Sequence, residues 1–243
     1  MSIVMTGTQR PMMVDIPKKK PNSVTRNTLE NWSVASLARE RDGVNTDIAT
    51  EKQLLASRRE MIADNADFSD FWVFGYGSLI NNPIIDHRNR TIATVYGYHR
   101  RFCLWTKIGR GSPEFPGLVL SLDRGGSCKG VAFQLYPQNA ITELNLLWRR
   151  EMMTLSYQPR LLSLYTKNGV KRGLAFVANP SRSAYAQRMS FESTVEVVAN
   201  AVGFNGPCRD YLYETVLGLK ACGIRDQHLE KLFAAVQHRL ASD

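Results

Sequence analysis

The order of apolar and polar positions divides the chain into a polar start, a helical stretch and a strand-rich remainder. Residues 1 to about 25 contain prolines, a lysine triplet and polar residues without periodicity, which is typical of a mobile tail. Apolar residues then recur at helical spacing over Thr28–Arg41 and Thr50–Ala63, so two helices are predicted there. From Trp72 to Ala178 the alternation is mainly strand-like and is broken by turn residues at short intervals.

Two turn signals divide the strand-rich region. Residues 123–127, which include two glycines, separate one pair of apolar runs, and the Asn168–Gly169 pair separates another. An Asn-Gly pair favours a type I′ turn, because both of its central positions need a positive φ. Both segments are therefore predicted to form β-hairpins.

Helical spacing returns between the two hairpins and again near the C-terminus. The predicted helices are about Asn139–Met153, then Ser193–Val202, Arg209–Ala221 and Asp226–Leu240. No internal repeat and no regular βαβ alternation is present in the sequence. We therefore predict an α+β fold, in which a mixed or antiparallel sheet, barrel-like if it closes, packs against helices. Residues 1–68 are expected to form an N-terminal tail and helical extension, and residues 69–243 the main domain.

Composition narrows the class of protein. The chain has 243 residues, 44% of them hydrophobic, and a formal net charge of +9. Its basic residues are dispersed and mixed with acidic ones, so the charge favours an effect on solubility over a nucleic-acid partner. The four cysteines form no CxxC pair, which favours reduced thiols in a cytoplasmic protein. No window has the roughly 20 apolar residues that a membrane span needs, and no secretory signal is apparent.

The segment FWVFGYGSLI, residues 71–80, places glycines directly after a buried strand. A dinucleotide fingerprint would need glycine where Ile80 stands, and no phosphate-binding GK[ST] is present. Ser78 does not fit the GxSxG motif of a serine hydrolase, because Tyr76 and Ile80 hold the glycine positions. The four histidines have no metal-ligand spacing. Two interpretations of this segment are left: it is a simple turn, or it is a loop that binds a ligand through its backbone.

Glu151 is the strongest candidate for acid–base chemistry. Steps of about 100° along ITELNLLWRREMMTL place it inside the apolar face that contains Leu144 and Leu147. Desolvation raises the pKa of a carboxyl group there, and the nearby helix C-terminus acts in the same direction. A raised pKa suits a general base. A structural ion pair with a buried arginine such as Arg101 would explain the same position, and spacing does not separate the two alternatives.

The chain resembles the ChaC-like branch of the γ-glutamylcyclotransferases, and its bacterial members in particular. The resemblance rests on VFGYGSL with its following Asn-Pro pair, YGYHRRFCLWT, RGSPEFPGLVLSLDRGGSCKGVAFQL and LLWRREM, in that order. It extends from about Phe71 to the C-terminal helices. The N-terminal extension lies outside it or matches only loosely.

The resemblance implies a barrel-like fold and a reaction. It implies cleavage of glutathione at the γ-glutamyl amide to 5-oxoproline and cysteinylglycine, without a metal or organic cofactor. Glu151 falls on the catalytic position, and the YGSL loop falls on a segment that binds the γ-glutamyl group through backbone N–H groups. In the Arg100–Arg101 pair, one arginine would meet a substrate carboxylate. The implied substrate-binding residues are Tyr76, Gly77, Ser78, Leu79, Arg101, Tyr157 and Tyr185; the last two tyrosines fit partly buried core positions equally well.

One position departs from the family pattern. Many members have YGSLIWNP, whereas Asn81 stands here in place of the tryptophan. A position at the substrate mouth would alter affinity, and a surface position would make the change neutral. Glutathione is the expected partner, with no nucleic acid and no membrane. Two alternatives remain: a cyclotransferase for other γ-glutamyl amines or dipeptides, and a non-catalytic basic binding protein on the same fold.

Overall fold

The computed structural model describes residues 24–31 and 48–242, which form a barrel with helices packed around it. The barrel strands are β1 (Trp72–Gly75), β2 (His87–Thr106), β3 (Gly117–Leu135), β4 (Tyr157–Thr166) and β5 (Gly169–Ala178), and a separate short pair comprises β6 (Val202–Gly203) and β7 (Gly206–Pro207). The helices are α1 (Arg26–Glu30), α2 (Glu51–Met61), α3 (Ser78–Asn81), α4 (Ala140–Glu151), α5 (Phe191–Asn200), α6 (Cys208–Ala221) and α7 (Gln227–Ala241).

Helix prediction is confirmed for α2 and for α4 to α7, with ends that differ by a few residues. The predicted helix over Thr28–Arg41 is only partly testable. The helix begins earlier, at Arg26, and ends at Glu30 with Asn31 as its C-cap, so it does not continue through Asn31 as predicted. Residues 32–41 of the predicted helix and residues 1–23 of the predicted tail lie outside the described residues. Among the described residues, none of the helices is both long and apolar enough to cross a membrane.

The sheet closes in the order β1-β3-β2-β4-β5, which confirms the predicted barrel. Paired strands are antiparallel, except that β5 runs parallel to β1 from the pair Trp72 and Gly173 and parallel to β3 at the pair Leu122 and Val177. Small side chains such as Ala132 belong to one buried cluster, and the adjacent Phe133 belongs to a second cluster that includes Trp148 of α4. Because successive residues of a strand face opposite sides, the sheet is buried on both faces.

The predicted hairpin around residues 123–127 is wrong. β3 runs unbroken through this segment, and the turn between β2 and β3 lies at residues 107–116. The pairing shifts between Tyr96 and Tyr98, where Gly125 and Gly126 face a single residue of β2. Both glycines have positive φ, of 96° and 69°. Both a β-bulge and a tight turn use glycines with positive φ, so the glycine pair alone does not distinguish them. Here it marks a bulge.

The second hairpin is confirmed, with a different turn from the one predicted. Thr166 pairs with Gly169, so residues 167 and 168 form the connection between β4 and β5. Gly169 has a φ of 101°, whereas Asn168 is not among the residues with positive φ. The turn is therefore not type I′, which needs positive φ at both central positions.

The N-terminal segments pack on α4, the helix that ends at Glu151. In α1, Arg26 donates two hydrogen bonds of 2.9 Å to the carboxylate of Glu143, which is 1% exposed. In the α2 segment, Leu54 and Ile62 belong to the same buried cluster as the barrel residues. Residues 49–62 thus contribute to the core of the main domain, and the division of the chain at residue 68 stays a prediction.

Candidate active site

The loop after β1 turns directly from the barrel into the short helix α3. At Gly75 a Cβ atom would lie 2.9 Å from the ring of Phe133, and at Gly77 it would lie 3.2 Å from Tyr211 Oη. Both contacts are too close for a larger residue without a shift of its neighbour. Gly75 therefore allows the backbone to pack against Phe133, and Gly77 allows it to approach Tyr211 in the wall of a cavity.

That cavity contains most of the residues predicted for the site. Its volume is about 20 Å³, enough for about one water molecule. The loop, β3, α4, β4, β5 and α6 each contribute to its wall. The lining residues are Tyr76, Gly77, Ser78, Leu79, Leu120, Glu151, Tyr157, Phe176 and Tyr211.

Glu151 is the last residue of α4 and lies in this cavity with a side chain that is 12% exposed. Its Oε1 atom is buried and accepts no hydrogen bond within the described part of the chain, although Arg150 Nε lies 3.1 Å away. Burial raises the pKa of the Glu151 carboxyl, and the Arg150 cation offsets part of that rise. Glu151 forms no ion pair with Arg101, which was the example considered for a structural ion pair, because Arg101 pairs with Asp123. The ion-pair partner of Glu151 is the neighbouring Arg150, whose side chain is nearly buried.

Three tyrosines form much of the cavity wall. Tyr76 Oη donates a 2.7 Å hydrogen bond to the carbonyl of Phe176, and Tyr157 Oη donates a 2.9 Å bond to that of Leu120. Burial raises the pKa of both, and of Tyr211, above the ordinary tyrosine value, and the Glu151 carboxylate adds to each shift. The three hydroxyls therefore stay neutral near pH 7.

Arg150 connects the helix to the loop, a role that the sequence pattern did not predict. Its Nη2 donates to Ser78 Oγ at 2.8 Å and its Nη1 to the carbonyl of Asn82 at 2.6 Å. Helical periodicity placed Arg150 beyond the edge of the apolar face, which marks it as partly accessible but gives no partner. Tyr211 was also missed, because nothing in the pattern of α6 links it to a loop more than a hundred residues earlier.

Arg100 supports the same loop from within the fold. It is 5% exposed, and its Nε donates to the carbonyl of Tyr76. It also donates to the carbonyl of Lys129 at 2.7 Å and forms an ion pair with Asp226, the N-cap residue of α7. The carbonyl of Tyr76 is thus bound by an arginine whose Nη1 and Nη2 are each anchored elsewhere in the fold.

Two predicted substrate-binding residues lie together, but outside the cavity wall. Arg101 Nε donates to Asp123 Oδ2 at 2.8 Å, and Tyr185 Oη donates to Asp123 Oδ1 at 2.9 Å. Burial alone would raise the pKa of Asp123, but hydrogen bonds from Arg101 and Tyr185 outweigh it and hold that pKa below its usual range. A role of either residue in binding substrate stays a prediction.

Asn81 does not line the cavity. Its Nδ2 donates a 2.5 Å hydrogen bond to the carbonyl of Glu214 in α6, and the residue is exposed. Asn81 therefore lies at the surface, the second of the two alternatives for the position where many family members have tryptophan.

Among residues 24–31 and 48–242, no group of three or more His, Cys, Asp or Glu side chains is placed to hold a metal ion.

The closed barrel with helices packed around it is a fold that this protein shares with proteins of known structure. The crystal structure of a γ-glutamyl cyclotransferase specific to glutathione from yeast matches this chain with a TM-score of 0.63 at 21% identity, over 70% of this chain and 96% of that one. At that identity the likeness establishes the fold alone.

Sequence comparison then gives the family. Residues 71–239 match the ChaC-like protein family model. Over 193 residues the chain is 33% identical to glutathione-specific gamma-glutamylcyclotransferase of Escherichia coli strain K12, covering 79% of this chain and 84% of the relative. Over 179 residues it is 31% identical to glutathione-specific gamma-glutamylcyclotransferase 1 of Mus musculus, covering 71% and 80%. This chain belongs to the ChaC-like family.

Proposed function

We propose that this protein cleaves the γ-glutamyl amide of glutathione in the cytoplasm, releasing 5-oxoproline and cysteinylglycine. The observation that carries the proposal is the buried Glu151 carboxylate, whose Oε1 accepts no hydrogen bond from the described residues and which faces the YGSL loop across a small cavity. Arg150 Nε lies 3.1 Å from this oxygen without donating a hydrogen bond to it, so the oxygen can still accept one, and a bound substrate amine would supply it. The choice of glutathione as the substrate rests on the relatives that are named as glutathione-specific.

The reaction begins with proton transfer to Glu151. The nucleophile is the α-amine of the substrate's own glutamyl group, which is protonated near pH 7 and cannot attack in that form. Glu151 accepts one proton, and burial suits it to this step because a raised pKa brings the carboxyl closer to the working pH. No serine or cysteine nucleophile is needed.

Ring closure requires the glutamyl chain to fold so that its amine meets its γ-carbonyl. We assign this positioning to Tyr76–Leu79, since the first turn of a helix leaves backbone N–H groups without intrahelical partners. Holding the reacting atoms in place can contribute several kcal/mol.

The second half of the reaction returns the proton. Attack forms the C–N bond of the ring and a tetrahedral centre whose oxygen gains negative charge, which backbone N–H donors stabilise. The C–N bond to the cysteinyl nitrogen then breaks as protonated Glu151 gives its proton to that leaving amine. The ring nitrogen, which still carries a second proton from the original ammonium group, releases it to solvent. One carboxyl group therefore serves as base and then as acid.

The direct test is a product assay with purified protein and reduced glutathione. We expect 5-oxoproline and cysteinylglycine in equal amounts, and at least about tenfold slower release from γ-glutamyl-alanine, which lacks the cysteinylglycine half. No 5-oxoproline from either substrate would overturn the proposal. Faster release from γ-glutamyl-alanine would instead assign the protein to other γ-glutamyl compounds.

A further inference from the structure

A second and much larger cavity lies on the barrel, away from Glu151. It is an open groove of about 840 Å³ between the first half of β2, β3 and the β4–β5 hairpin. Its lining includes four cations, Arg90, Lys129, Lys167 and Lys171, and no aspartate or glutamate. We call it the basic groove. Most of its other lining groups are amides and hydroxyls, unlike the predominantly apolar lining of most small-molecule sites.

The charge of the basic groove is largely uncompensated. Lys171 forms a 3.0 Å ion pair with Asp70. Arg90, Lys129 and Lys167 are exposed, and their side chains form no ion pair with any described residue. Like charges that gather without counter-charges raise the local positive potential and attract anions. Because the four cations come from β2, β3, the β4–β5 turn and β5, they appear dispersed in the sequence and gather only in the fold.

Exposed aromatic rings lie at the same place. Tyr165 lines the basic groove and is 46% exposed, and its ring packs edge-to-face against that of Tyr96, which is 63% exposed, with centroids 5.0 Å apart. Large exposed rings beside a row of cations are the combination with which proteins bind single strands, since phosphates meet the cations and bases stack on the rings.

We propose that the basic groove binds single-stranded nucleic acid, with phosphates on Lys129 and Lys167 and a base stacked on Tyr165. This binding is separate from cleavage of γ-glutamyl compounds. Trp72 at the start of β1 lines the basic groove, whereas Tyr76, just after the end of β1, lines the cavity of Glu151. Either activity can therefore be absent without the other.

Fluorescence anisotropy of the full chain with labelled twelve-nucleotide oligo(dT) and oligo(U) tests the proposal. We expect binding that weakens as salt rises. In K129E/K167E, affinity at low salt should fall by at least about tenfold, and loss of two phosphate contacts should reduce the salt slope by about 1.4. Y165A should weaken binding about five- to hundredfold with little change in slope. The control K52E/R188E changes the net charge equally at exposed residues outside the groove, and should retain most of the affinity.

Folding of each variant is checked by its circular dichroism and by release of 5-oxoproline, which the groove variants should leave unchanged. K129Q/K167Q removes the two charges without reversing them, and provides a second variant if the first is unstable. Three results would overturn the proposal. These are no salt-dependent binding by the wild-type protein, equal loss in the groove and control variants, and displacement of the strand by uridine monophosphate at the same phosphate concentration.

Discussion

Arg150 Nη2 donates a 2.8 Å hydrogen bond to Ser78 Oγ, and so joins the end of α4 to the loop after β1. The same guanidinium places its Nε 3.1 Å from Glu151 Oε1. One side chain therefore holds the two parts of the proposed site together and also influences the pKa of the proposed base.

Replacement of Arg150 by methionine should change both rate and pH dependence. Loss of the contact to Ser78 frees the loop, and misplacement of a bound substrate can reduce kcat by up to about 100-fold. The cation lowers the pKa of Glu151, so its removal leaves burial dominant and that pKa rises further. Because the base must be deprotonated, the acid limb of the kcat/KM profile should move to higher pH.

Arg149→Met is the matched control for this experiment. Arg149 pairs with Glu51 at 2.7 Å, away from the cavity. Its profile should keep the wild-type acid limb. Identical shifts in the two variants would show that Arg150 acts only through general stability.

Ser78→Ala tests whether the serine hydroxyl takes part in the chemistry. The hydroxyl accepts one hydrogen bond from Arg150, so its loss should cost about tenfold in kcat/KM, as expected for one charged hydrogen bond. Steady-state kinetics with glutathione measures this. A loss of a thousandfold or more would mean that Ser78 is a nucleophile and not part of a binding loop.

Asn81 packs closely against Gly218, and this packing should determine how a substitution at Gly218 changes stability. A Cβ atom at Gly218 would overlap Asn81 Oδ1. Gly218→Ala should therefore lower the free energy of unfolding by about 1 kcal/mol in the native background, as overpacking does. In an Asn81→Ala background it should raise that energy by up to about 1 kcal/mol, because alanine favours the helix. Equal effects in both backgrounds, measured by urea unfolding, would refute the contact.

Arg26 should stabilise the fold through α4. Glu143 is 1% exposed, and its partner Arg26 also donates to the carbonyl of Ile84, whose φ of 55° is unfavourable for a β-branched residue. Arg26→Ala would leave this buried carboxylate without a counter-charge, although the 3.0 Å hydrogen bond from Asp86 N remains, and should lower the free energy of unfolding by about 2–3 kcal/mol.

Glu30→Ala provides the control, since Glu30 meets Arg26 only in an exposed pair four residues apart. It should change the free energy of unfolding by less than about 0.5 kcal/mol. If both variants unfold at the same denaturant concentration, the buried pair does not stabilise the protein.

Local patterns were enough to predict the helices α2 and α4 to α7, the β4–β5 hairpin and the burial of Glu151. Each depends on residues close in the chain, where spacing of 3.6 or 2 residues fixes which side chains share a face. Gly125 and Gly126 show where prediction from local patterns fails, because a positive φ occurs in a bulge as well as in a turn.

Contacts between residues far apart in the chain could not be predicted from the sequence pattern. Arg101 was considered as a partner for Glu151, but the pairing of β2 with β3 places it beside Asp123. Tyr211 reaches the cavity only because α6 packs against the barrel. Strand register and helix packing decide such pairs, and neither is encoded in the spacing of a single segment.

The central claim is that Glu151 is the proton acceptor and donor, and Glu151→Gln tests it most directly. The change is isosteric. It removes the desolvation cost of a buried carboxylate together with its attraction to Arg150, so the melting temperature should change little. Release of 5-oxoproline from glutathione should fall by at least about 100-fold, the usual contribution of a general base. Wild-type release by a folded Glu151→Gln protein would contradict the account.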